Sequence, residues 1–329
     1  MAHKNKTNYS PYKARREKAL ANNKATSSSS NSNSNSNSNS NSSANSSPIM
    51  NPIPKSNLGA RGRHRPPEKI FSLEEANDRL YDLFRNHEFS DYPHAKRRQL
   101  AHFYTLLMEI QKKENFTRLT ELREIGLKHF IDCLMVPRLT ELRFPLMDVG
   151  TGPGFPGIPL KIEFPEQTIV LAEGVQRRVE FLKEVRDQMG LSHLPILGRN
   201  INQECFYPVQ GVITRAVEDI RNTLGNVLHC LQTGGRVYFM KGPGVDPEIP
   251  MALEVWKDYY RLVEDHHYIL PKTEQERRLL VFEKIKTAEV SDEWIESLGL
   301  NEECGEGRDI LDASSEPFLK PLLNTQVIT

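Results

Sequence analysis

The stretch that decides the fold is Asp148-Val-Gly-Thr-Gly-Pro-Gly-Phe-Pro-Gly157, which follows the short apolar run Pro145-Leu-Met147. Its glycines allow the backbone to turn sharply and to approach a ligand closely. A helix is predicted directly after it, over residues 158–164. A strand, a glycine-rich turn and a helix in this order are typical of the first unit of a doubly wound α/β sheet. A tight Gly/Pro turn that binds nothing is the structural alternative.

The glycine spacing discriminates between cofactors. Gly150, Gly152 and Gly154 form Gly-x-Gly-x-Gly, whereas dinucleotide-binding loops have Gly-x-Gly-x-x-Gly. Asp148 stands two residues before the first glycine, and an acid there suits the cationic methionine part of S-adenosylmethionine. The loop therefore favours S-adenosylmethionine over NAD.

Strand and helix patterns alternate after this loop, which predicts a mostly parallel sheet covered on both faces. The predicted strands are 145–149, 168–172, 194–197, 211–214 and 234–240, followed by an antiparallel pair at 267–270 and 278–283. Helices are predicted at 175–189 and 217–231. Before the loop, apolar residues recur at helical spacing over about 72–84, 92–113 and 122–133. We therefore expect the ordered part of the chain to begin with a small helical unit.

Charge and composition divide the 329 residues further. The formal net charge is zero, but residues 1–67 contain eleven Lys or Arg and one acid, and residues 287–329 contain ten acids and two Lys or Arg. Residues 27–47 are almost wholly Ser and Asn, which bury too little apolar surface to offset the entropy of ordering. We therefore predict a disordered basic tail at 1–67, a helical subdomain at 68–140, a ligand-binding α/β domain at 141–286 and a loose acidic tail at 287–329.

Several classes of protein are excluded by what the sequence lacks. No apolar run approaches the ~18–20 residues of a membrane helix, and the N-terminus has no apolar core of a secretory signal. The four cysteines are far apart and form neither a Cys-x-x-Cys pair nor a zinc spacing. We expect a cytoplasmic protein with free, buried thiols and no membrane partner.

Three further candidates lie where predicted strands end. Glu173 follows the second strand, 25 residues after Asp148, where an acid accepts hydrogen bonds from ribose hydroxyls in doubly wound folds. Arg215 and Lys241 follow the fourth and fifth strands, at the edge where open α/β sheets bind ligands. Cations there suit a phosphate or the O6 edge of guanine. An ordinary solvated side chain is the alternative at each position.

His129 and Asp132 are three residues apart on a predicted helix and share one face. A metal site would need more ligands than the sequence offers there, and His266-His267 is better explained as a strand-edge pair. No nucleophile elbow, phosphate-binding Gly-Lys-Ser/Thr loop or zinc signature occurs. We therefore predict no metal.

Over residues 75–286 the motifs resemble those of the bacterial 16S ribosomal RNA guanine-N7 methyltransferases, also called the glucose-inhibited division protein B family. The most specific match runs from Asp148 to Leu160. The other matching segments are Asn115-Phe-Thr117, Lys128-His-Phe-Ile-Asp132, Glu173-Gly-Val-Gln-Arg-Arg-Val-Glu-Phe-Leu182, Ile213-Thr-Arg-Ala216, Met240-Lys-Gly242 and Glu276-Arg-Arg-Leu279. Glu173-Gly174 stands where the family has Asp-Ser, and Asn200 where an acid is common, which puts the adenine contacts in doubt. Cys133 replaces a Ser.

The resemblance implies a Rossmann-like class I methyltransferase sheet, S-adenosylmethionine as cofactor, and methylation of guanine N7 in 16S ribosomal RNA, free or within the 30S subunit, by a monomer. It places these residues at the cofactor: Asp148, Gly150, Gly152, Gly154, Phe155, Glu173 and Arg215. It places these at the target base: Arg215, Lys241, His129 and Asn115, with Thr117 beside them. No general base is required, because guanine N7 has a free lone pair.

Two other functions remain open from the sequence. One is a nonenzymatic RNA-binding protein on a methyltransferase fold, which would not bind S-adenosylmethionine. The other is an NAD-dependent oxidoreductase, which the glycine spacing disfavours.

A near-neutral folded part implies that RNA contact relies on a local basic patch. The helical subdomain offers eight cations for it: Lys96, Arg97, Arg98, Lys112, Lys113, Arg118, Arg123 and Lys128. The basic tail is expected to add salt-sensitive affinity. A solvated tail without a role, or an organelle transit peptide, is the alternative for residues 1–67.

Overall fold

A computed structural model of the chain describes residues 66–67 and 69–289. The predicted tails at 1–67 and 287–329 lie outside these residues, apart from 66–67 and 287–289. Their predicted character therefore stays a prediction.

Helices precede the sheet, as predicted. They are α1 (Leu73–Asn86), α2 (His94–Gln111), α3 (Leu122–Ile125), a π-helix (Gly126–Ile131) and α4 (Asp132–Leu139). Ser72 caps α1 by accepting a hydrogen bond from the Glu75 amide at 3.2 Å. One helix was predicted over 122–133, but the structure has three successive segments there. Hydrophobic spacing does not reveal a single π-helical stretch, which widens the turn without interrupting the helix.

The sheet has seven strands in the order β3-β2-β1-β4-β5-β7-β6. They are β1 (Leu146–Val149), β2 (Ile169–Ala172), β3 (Ile196–Leu197), β4 (Val209–Arg215), β5 (Leu231–Lys241), β6 (Tyr260–Ile269) and β7 (Glu276–Lys284). The first five strands are parallel, and β7 pairs antiparallel with both β5 and β6. The predicted Rossmann-like α/β fold is confirmed.

The strand order reverses beside β1, because β1 pairs with β2 on one side and with β4 on the other. In open α/β sheets such a reversal leaves a crevice outside the carboxyl ends of the strands. The chain leaves β1, β2, β4 and β5 on this edge, through the glycine loop, Glu173, Arg215 and Lys241 respectively. The fold therefore brings four sequence-predicted positions to one edge.

Helices cover both faces of the sheet. They are α5 (Gly157–Glu163), α6 (Gln176–Met189), α7 (Ile220–Asn226), a 3-10 turn (Pro243–Val245) and α8 (Glu248–Trp256). Helix α8 was not predicted, because Pro247 and Pro250 suggest a loop; prolines are tolerated in the first turn of a helix, where the amides need no partner within the helix. Strand β6 is longer than predicted, since its charged residues on a half-exposed strand hide the usual alternation.

Alternate residues of the central strands enter two separate cores. Leu146, Leu171 and Ile213 join the core shared with α1, α2 and α6, whereas Met147 and Val170 join the core beneath α7 and α8. The helices of residues 68–140 thus pack on the sheet through one continuous core. The boundary at residue 140 between two domains stays a prediction. Cys133, Cys205 and Cys230 are buried and free.

Gly211 offers a test of the pairing between β1 and β4. A Cβ at this position would lie 2.3 Å from the Arg143 carbonyl oxygen, and a backbone atom in this place cannot move aside cheaply. Gly211→Ala should therefore lower the free energy of unfolding by about 1–3 kcal/mol in urea titrations. Gly242→Ala is the control, because its Cβ would meet nothing within 4 Å, and its effect should stay below about 0.5 kcal/mol. Equal effects would contradict the close approach.

Candidate active site

The glycine loop follows β1 and has three glycines with positive φ: Gly150 (68°), Gly152 (61°) and Gly154 (110°). A Cβ on Gly150 would lie 2.6 Å from Val217 Cγ2, so Val217 packs directly over the loop. A Cβ on Gly152 would meet no atom within 4 Å. Gly150 is thus required for conformation and packing, whereas the backbone at Gly152 borders open space that a ligand can enter.

Asp148 stabilises this loop through two hydrogen bonds to one of its carboxylate oxygens. Its Oδ2 accepts hydrogen bonds from the Thr151 hydroxyl at 2.6 Å and from the Gly157 amide at 2.7 Å. Its Oδ1 is buried and has no hydrogen-bond partner among the described residues. Burial raises the pKa of Asp148 to about 7, although both hydrogen bonds oppose the rise. The unpartnered oxygen is a group that a bound cation would satisfy.

Glu173 lies at the end of β2 and is almost completely buried. Its Oε1 accepts a hydrogen bond from the Val175 amide at 2.8 Å, and Arg178 Nη1 lies 3.4 Å from its Oε2. These contacts fix the carboxylate in the turn that leads into α6. The longer contact to Arg178 leaves Oε2 the more available oxygen for a ligand.

The two departures from the family pattern at 174 and 200 are neighbours in space. A Cβ on Gly174 would lie only 2.1 Å from Asn200 Oδ1. The absence of a side chain at 174 therefore makes room for the Asn200 amide beside Glu173. The sequence separation of 26 residues concealed this relation.

His129 reaches the site from the π-helix. Its ring stacks on Phe155 of the glycine loop, with centroids 4.4 Å apart and an interplanar angle of 27°. Arg215 Nη2 lies 2.9 Å from His129 Nδ1. The Lys128 carbonyl oxygen also lies 3.1 Å from Nδ1, but it accepts a hydrogen bond from Arg215 Nη1 at 3.3 Å. Because a guanidinium can only donate and its contact with Nδ1 is the shorter one, we assign Nδ1 as the acceptor and place the proton of the neutral ring on Nε2. Burial, followed by the charge of Arg215, holds the pKa of His129 well below its ordinary value. His129 is therefore a neutral donor through Nε2.

Asp132 is a buried carboxylate behind this pair, and three side chains from the sheet converge on it. Arg215 Nη1 lies 3.6 Å from it, Arg277 Nε 3.4 Å, and Tyr268 donates its hydroxyl at 3.3 Å. Burial raises the pKa of Asp132, and the two arginines oppose the rise. Asp132 was predicted beside His129, but Tyr268 and Arg277 were not predicted to join them. The Glu276-Arg-Arg-Leu279 motif was the signal for Arg277, and Tyr268 had none.

Not every predicted residue joins this cluster. Lys241 Nζ donates to the Glu218 carbonyl at 2.7 Å and to Glu248 Oε2 at 2.9 Å, which ties it to α8. Phe155 is buried, with its ring 5.2 Å from that of Phe103, so it packs as a core residue as well as under His129. Asn115 is exposed in the loop between α2 and α3, where its Oδ1 lies 3.5 Å from Gln111 Nε2.

Two further features are missing from the described part of the chain. It contains no cluster of three or more His, Cys, Asp or Glu side chains that could bind a metal ion. It also contains no helix with the length and apolar character needed to span a membrane.

The tautomer of His129 can be tested by nitrogen-15 NMR of the histidine side chains. We expect a neutral ring with the proton on Nε2 throughout pH 5.5–8, because protonating Nδ1 would require losing the bond from Arg215. In Arg215→Gln the pKa of His129 should rise towards the ordinary value of about 6.5, since one cation beside it is removed. His129→Gln assigns the signal. A doubly protonated ring in the wild-type protein at pH 6 would contradict the geometry.

Comparison with known proteins agrees with the motifs and the fold. Residues 96–278, more than half of the chain, match the family model described as rRNA small subunit methyltransferase G (GidB). A protein of Bdellovibrio bacteriovorus named ribosomal RNA small subunit methyltransferase G 2 is 64% identical over 232 residues, which cover 70% of this chain and 91% of that protein. The ribosomal RNA small subunit methyltransferase G of Alkaliphilus metalliredigens is 36% identical over 199 residues, with 57% and 82% covered.

Solved structures give weaker matches. Trm5b from Pyrococcus abyssi has a TM-score of 0.39 at 12% identity, covering 53% of this chain and 52% of that one. The M. jannaschii tRNA m1G37 methyltransferase has a TM-score of 0.37 at 18% identity, covering 54% and 50%. The assignment therefore rests on the sequence matches and on the site itself. By these matches, the chain belongs to the rRNA small subunit methyltransferase G (GidB) family.

Proposed function

We propose that this protein transfers the methyl group of S-adenosylmethionine to N7 of a guanine in 16S ribosomal RNA. The observation that carries the proposal is the glycine loop, whose Asp148 has a buried oxygen without a hydrogen-bond partner among the described residues; Arg215 and His129 are in contact at the same end of the sheet. Family membership supports both the reaction and the class of RNA. We further propose that the protein acts in the cytoplasm as a monomer, on free 16S RNA or on the 30S subunit.

The residues at the carboxyl edge fit the cofactor. In the proposal, the backbone at Gly150, Gly152 and Gly154 approaches the methionine part, and Asp148 Oδ1 compensates its positive charge. Glu173 Oε2 accepts hydrogen bonds from the ribose. The Asn200 amide, which replaces an acid, stands beside Glu173 and offers a donor as well as an acceptor to the adenine. Phe155 positions the loop by packing between Phe103 and His129.

The chemistry demands alignment rather than proton transfer. Bound S-adenosylmethionine would supply a methyl group already activated by its sulfonium, and guanine N7 has a free lone pair, so no proton needs to be removed. His129 cannot take a proton at Nδ1 while Arg215 donates to it, so it is not a general base. Its Nε2–H and the Arg215 guanidinium are donors, which suit the O6 acceptor beside N7. Holding N7, methyl and sulfur in line is worth several kcal/mol of the barrier.

The remaining assignments follow from position. Lys241 supports the edge through Glu248 and is proposed to face the RNA when this contact opens. Asn115 and Thr117 are proposed to shape the pocket from the helical side. A guanine within a helix must leave its stack to reach such a site, so the target is proposed to be a base that can be extruded.

The direct test is transfer of labelled methyl groups to ribosomal RNA from a strain that lacks this enzyme, followed by mapping of 7-methylguanosine. Wild-type protein should label 16S RNA, and Arg215→Ala should lose roughly 10²–10³-fold in rate because a donor to the base is missing. Calorimetry should show nearly unchanged cofactor affinity in Arg215→Ala. A large loss of affinity would instead assign Arg215 to the cofactor.

The same experiment separates this function from other possibilities. Label on protein or on a small molecule would overturn the proposed substrate. A protein that binds RNA but not S-adenosylmethionine would be a nonenzymatic module on this fold.

Asp148→Asn tests the role of the unpartnered oxygen. The Asn side-chain oxygen can still accept from Thr151 and Gly157, so only the charge and Oδ1 are lost. We expect the dissociation constant of S-adenosylmethionine to rise roughly tenfold to a hundredfold, as for loss of one charged contact. Thr151→Val, which removes one bond to Oδ2 and leaves Oδ1 in place, is the matched control and should weaken binding less. Equal affinity of Asp148→Asn and wild type would contradict the assignment.

The pH dependence has a definite sign. Because the pKa of Asp148 is raised to about 7, wild-type affinity for the cationic cofactor should fall by up to tenfold per pH unit below 7, and Asp148→Asn should lack this component. Without cofactor, the folded state binds a proton that the unfolded state releases near pH 4. The contribution of this group to the free energy of unfolding therefore falls as the pH rises from 4 to 7. The Asn variant should show a smaller change of unfolding free energy with pH over this range.

A further inference from the structure

Ion pairs remove most of the basic patch that the sequence suggested. Lys96 pairs with Glu163, Arg98 with Glu74, Lys112 with Glu109 and Lys128 with Glu124. Arg97 is buried and donates to Asn77 Oδ1 at 3.2 Å. Three of the eight cations remain exposed and have no ion pair among the described residues: Lys113, Arg118 and Arg123. The patch as first predicted is therefore corrected to these three.

The three cations lie on one segment, residues 112–123, which runs from the end of α2 into α3. Glu114 of this segment pairs with Arg177 of α6 at 2.8 Å. Phe116 packs edge-on against Phe181, with ring centroids 5.3 Å apart. Helix α6 begins three residues after Glu173, so these contacts fix the segment beside the carboxyl edge of β2.

The far end of the segment leads to the other half of the site. Helix α3 continues directly into the π-helix that carries His129. The segment thus joins the proposed cofactor side at Glu173 to the proposed base side at His129. We name Lys113, Arg118 and Arg123 the rim cations.

The segment has a fixed shape. Gln111 is completely buried, and its Oε1 accepts hydrogen bonds from the Phe116 amide at 2.9 Å and the Thr117 amide at 3.0 Å. Its Nε2 donates to the Thr117 carbonyl at 3.0 Å. A preorganised segment presents its cations with little further loss of backbone entropy on binding. Glu121 is the acid of this segment without an ion pair among the described residues, so the rim keeps an excess of positive charge.

We propose that the rim cations bind phosphates of the RNA strand on either side of the target guanine. This proposal rests on the proposed function, since it takes ribosomal RNA as the substrate. Phosphates are the groups that exposed Lys and Arg side chains bind without reading sequence. The rim cations therefore supply affinity and register, whereas His129 and Arg215 contact the base. The same surface contributes nothing to the binding of S-adenosylmethionine.

The test compares two triple variants with the same change in charge. The rim variant is Lys113→Gln/Arg118→Gln/Arg123→Gln. The control variant is Arg79→Gln/Arg85→Gln/Arg98→Gln, which removes three exposed cations of α1 and α2 that are each paired with an acid and lie outside the segment. RNA dissociation constants are measured between 50 and 300 mM salt, together with KM and kcat for methyl transfer.

The rim variant should bind RNA roughly 50-fold more weakly at 0.15 M salt, because each lost phosphate contact removes about 0.7 from the slope of log K against log salt. KM for RNA should rise similarly, while kcat and the cofactor dissociation constant change less than about twofold. The control variant should change RNA binding less than about threefold. A charge-retaining variant, Lys113→Arg/Arg118→Lys/Arg123→Lys, should restore the wild-type slope.

Each other outcome overturns the proposal. An unchanged slope in the rim variant would exclude phosphate contact, and an equal loss in the control variant would show an effect of net charge alone. If the rim variant does not fold, an unchanged salt slope in Arg118→Gln overturns the proposal and a shallower one supports it. Failure of the proposed function is separate, because it would appear as wild-type protein that forms no 7-methylguanosine.

Discussion

The carboxylate of Asp148 is the constraint on which the site depends. One oxygen binds both the Thr151 hydroxyl and the amide of Gly157, the first residue of α5, and thereby closes the loop between β1 and α5. Gly157 has no room for a side chain, because a Cβ would lie 2.2 Å from Leu171 Cδ2 and 2.8 Å from Asp148 Oδ2. The loop is therefore locked to β2 as well as to β1. The cost is a buried, partly unsatisfied carboxylate, and a cationic ligand would reduce that cost.

The turn after β4 connects this loop to the helices. Ala216 has a φ of +56°, a conformation that non-glycine residues adopt only where surrounding contacts require it. The turn directs Arg215 towards His129 and Asp132 of the helical region, and sets Val217 over Gly150. A single residue with positive φ thus separates Arg215, on the proposed base side, from Val217, which packs over the glycine loop on the proposed cofactor side. Asp132 also contacts Arg277 and Tyr268 of the sheet. The helices and the sheet are therefore joined by one cluster of polar contacts as well as by apolar packing.

Features of the fold that are local or periodic can be predicted from the sequence. The glycine loop and the strands that lead to Glu173, Arg215 and Lys241 follow from short patterns, and the structure contains them. Features that depend on partners distant in sequence cannot be predicted in this way. The π-helix that turns His129 towards Phe155, the bond of Lys241 to Glu248, and the complementarity of Gly174 and Asn200 leave no mark on hydrophobic spacing. Helix α8 was not predicted, because the two prolines at its start are more typical of a loop than of a helix.

Ion pairs show most clearly that contacts between residues distant in sequence cannot be predicted from local patterns. Pairs three or four residues apart on one helix, such as Lys112 with Glu109, can be anticipated from sequence. Lys96 with Glu163 and Arg177 with Glu114 cannot, because each pair joins residues more than 60 positions apart. Exposed pairs of this kind add little to stability, yet they cancel the field that a count of lysines and arginines would suggest. An anionic partner is therefore attracted mainly by the exposed cations that form no ion pair. Among the described helical residues, these cations are Lys113, Arg118 and Arg123, on the segment between Glu173 and His129 whose backbone is held by the buried Gln111. A chain with no net charge can therefore still attract an anion to one place.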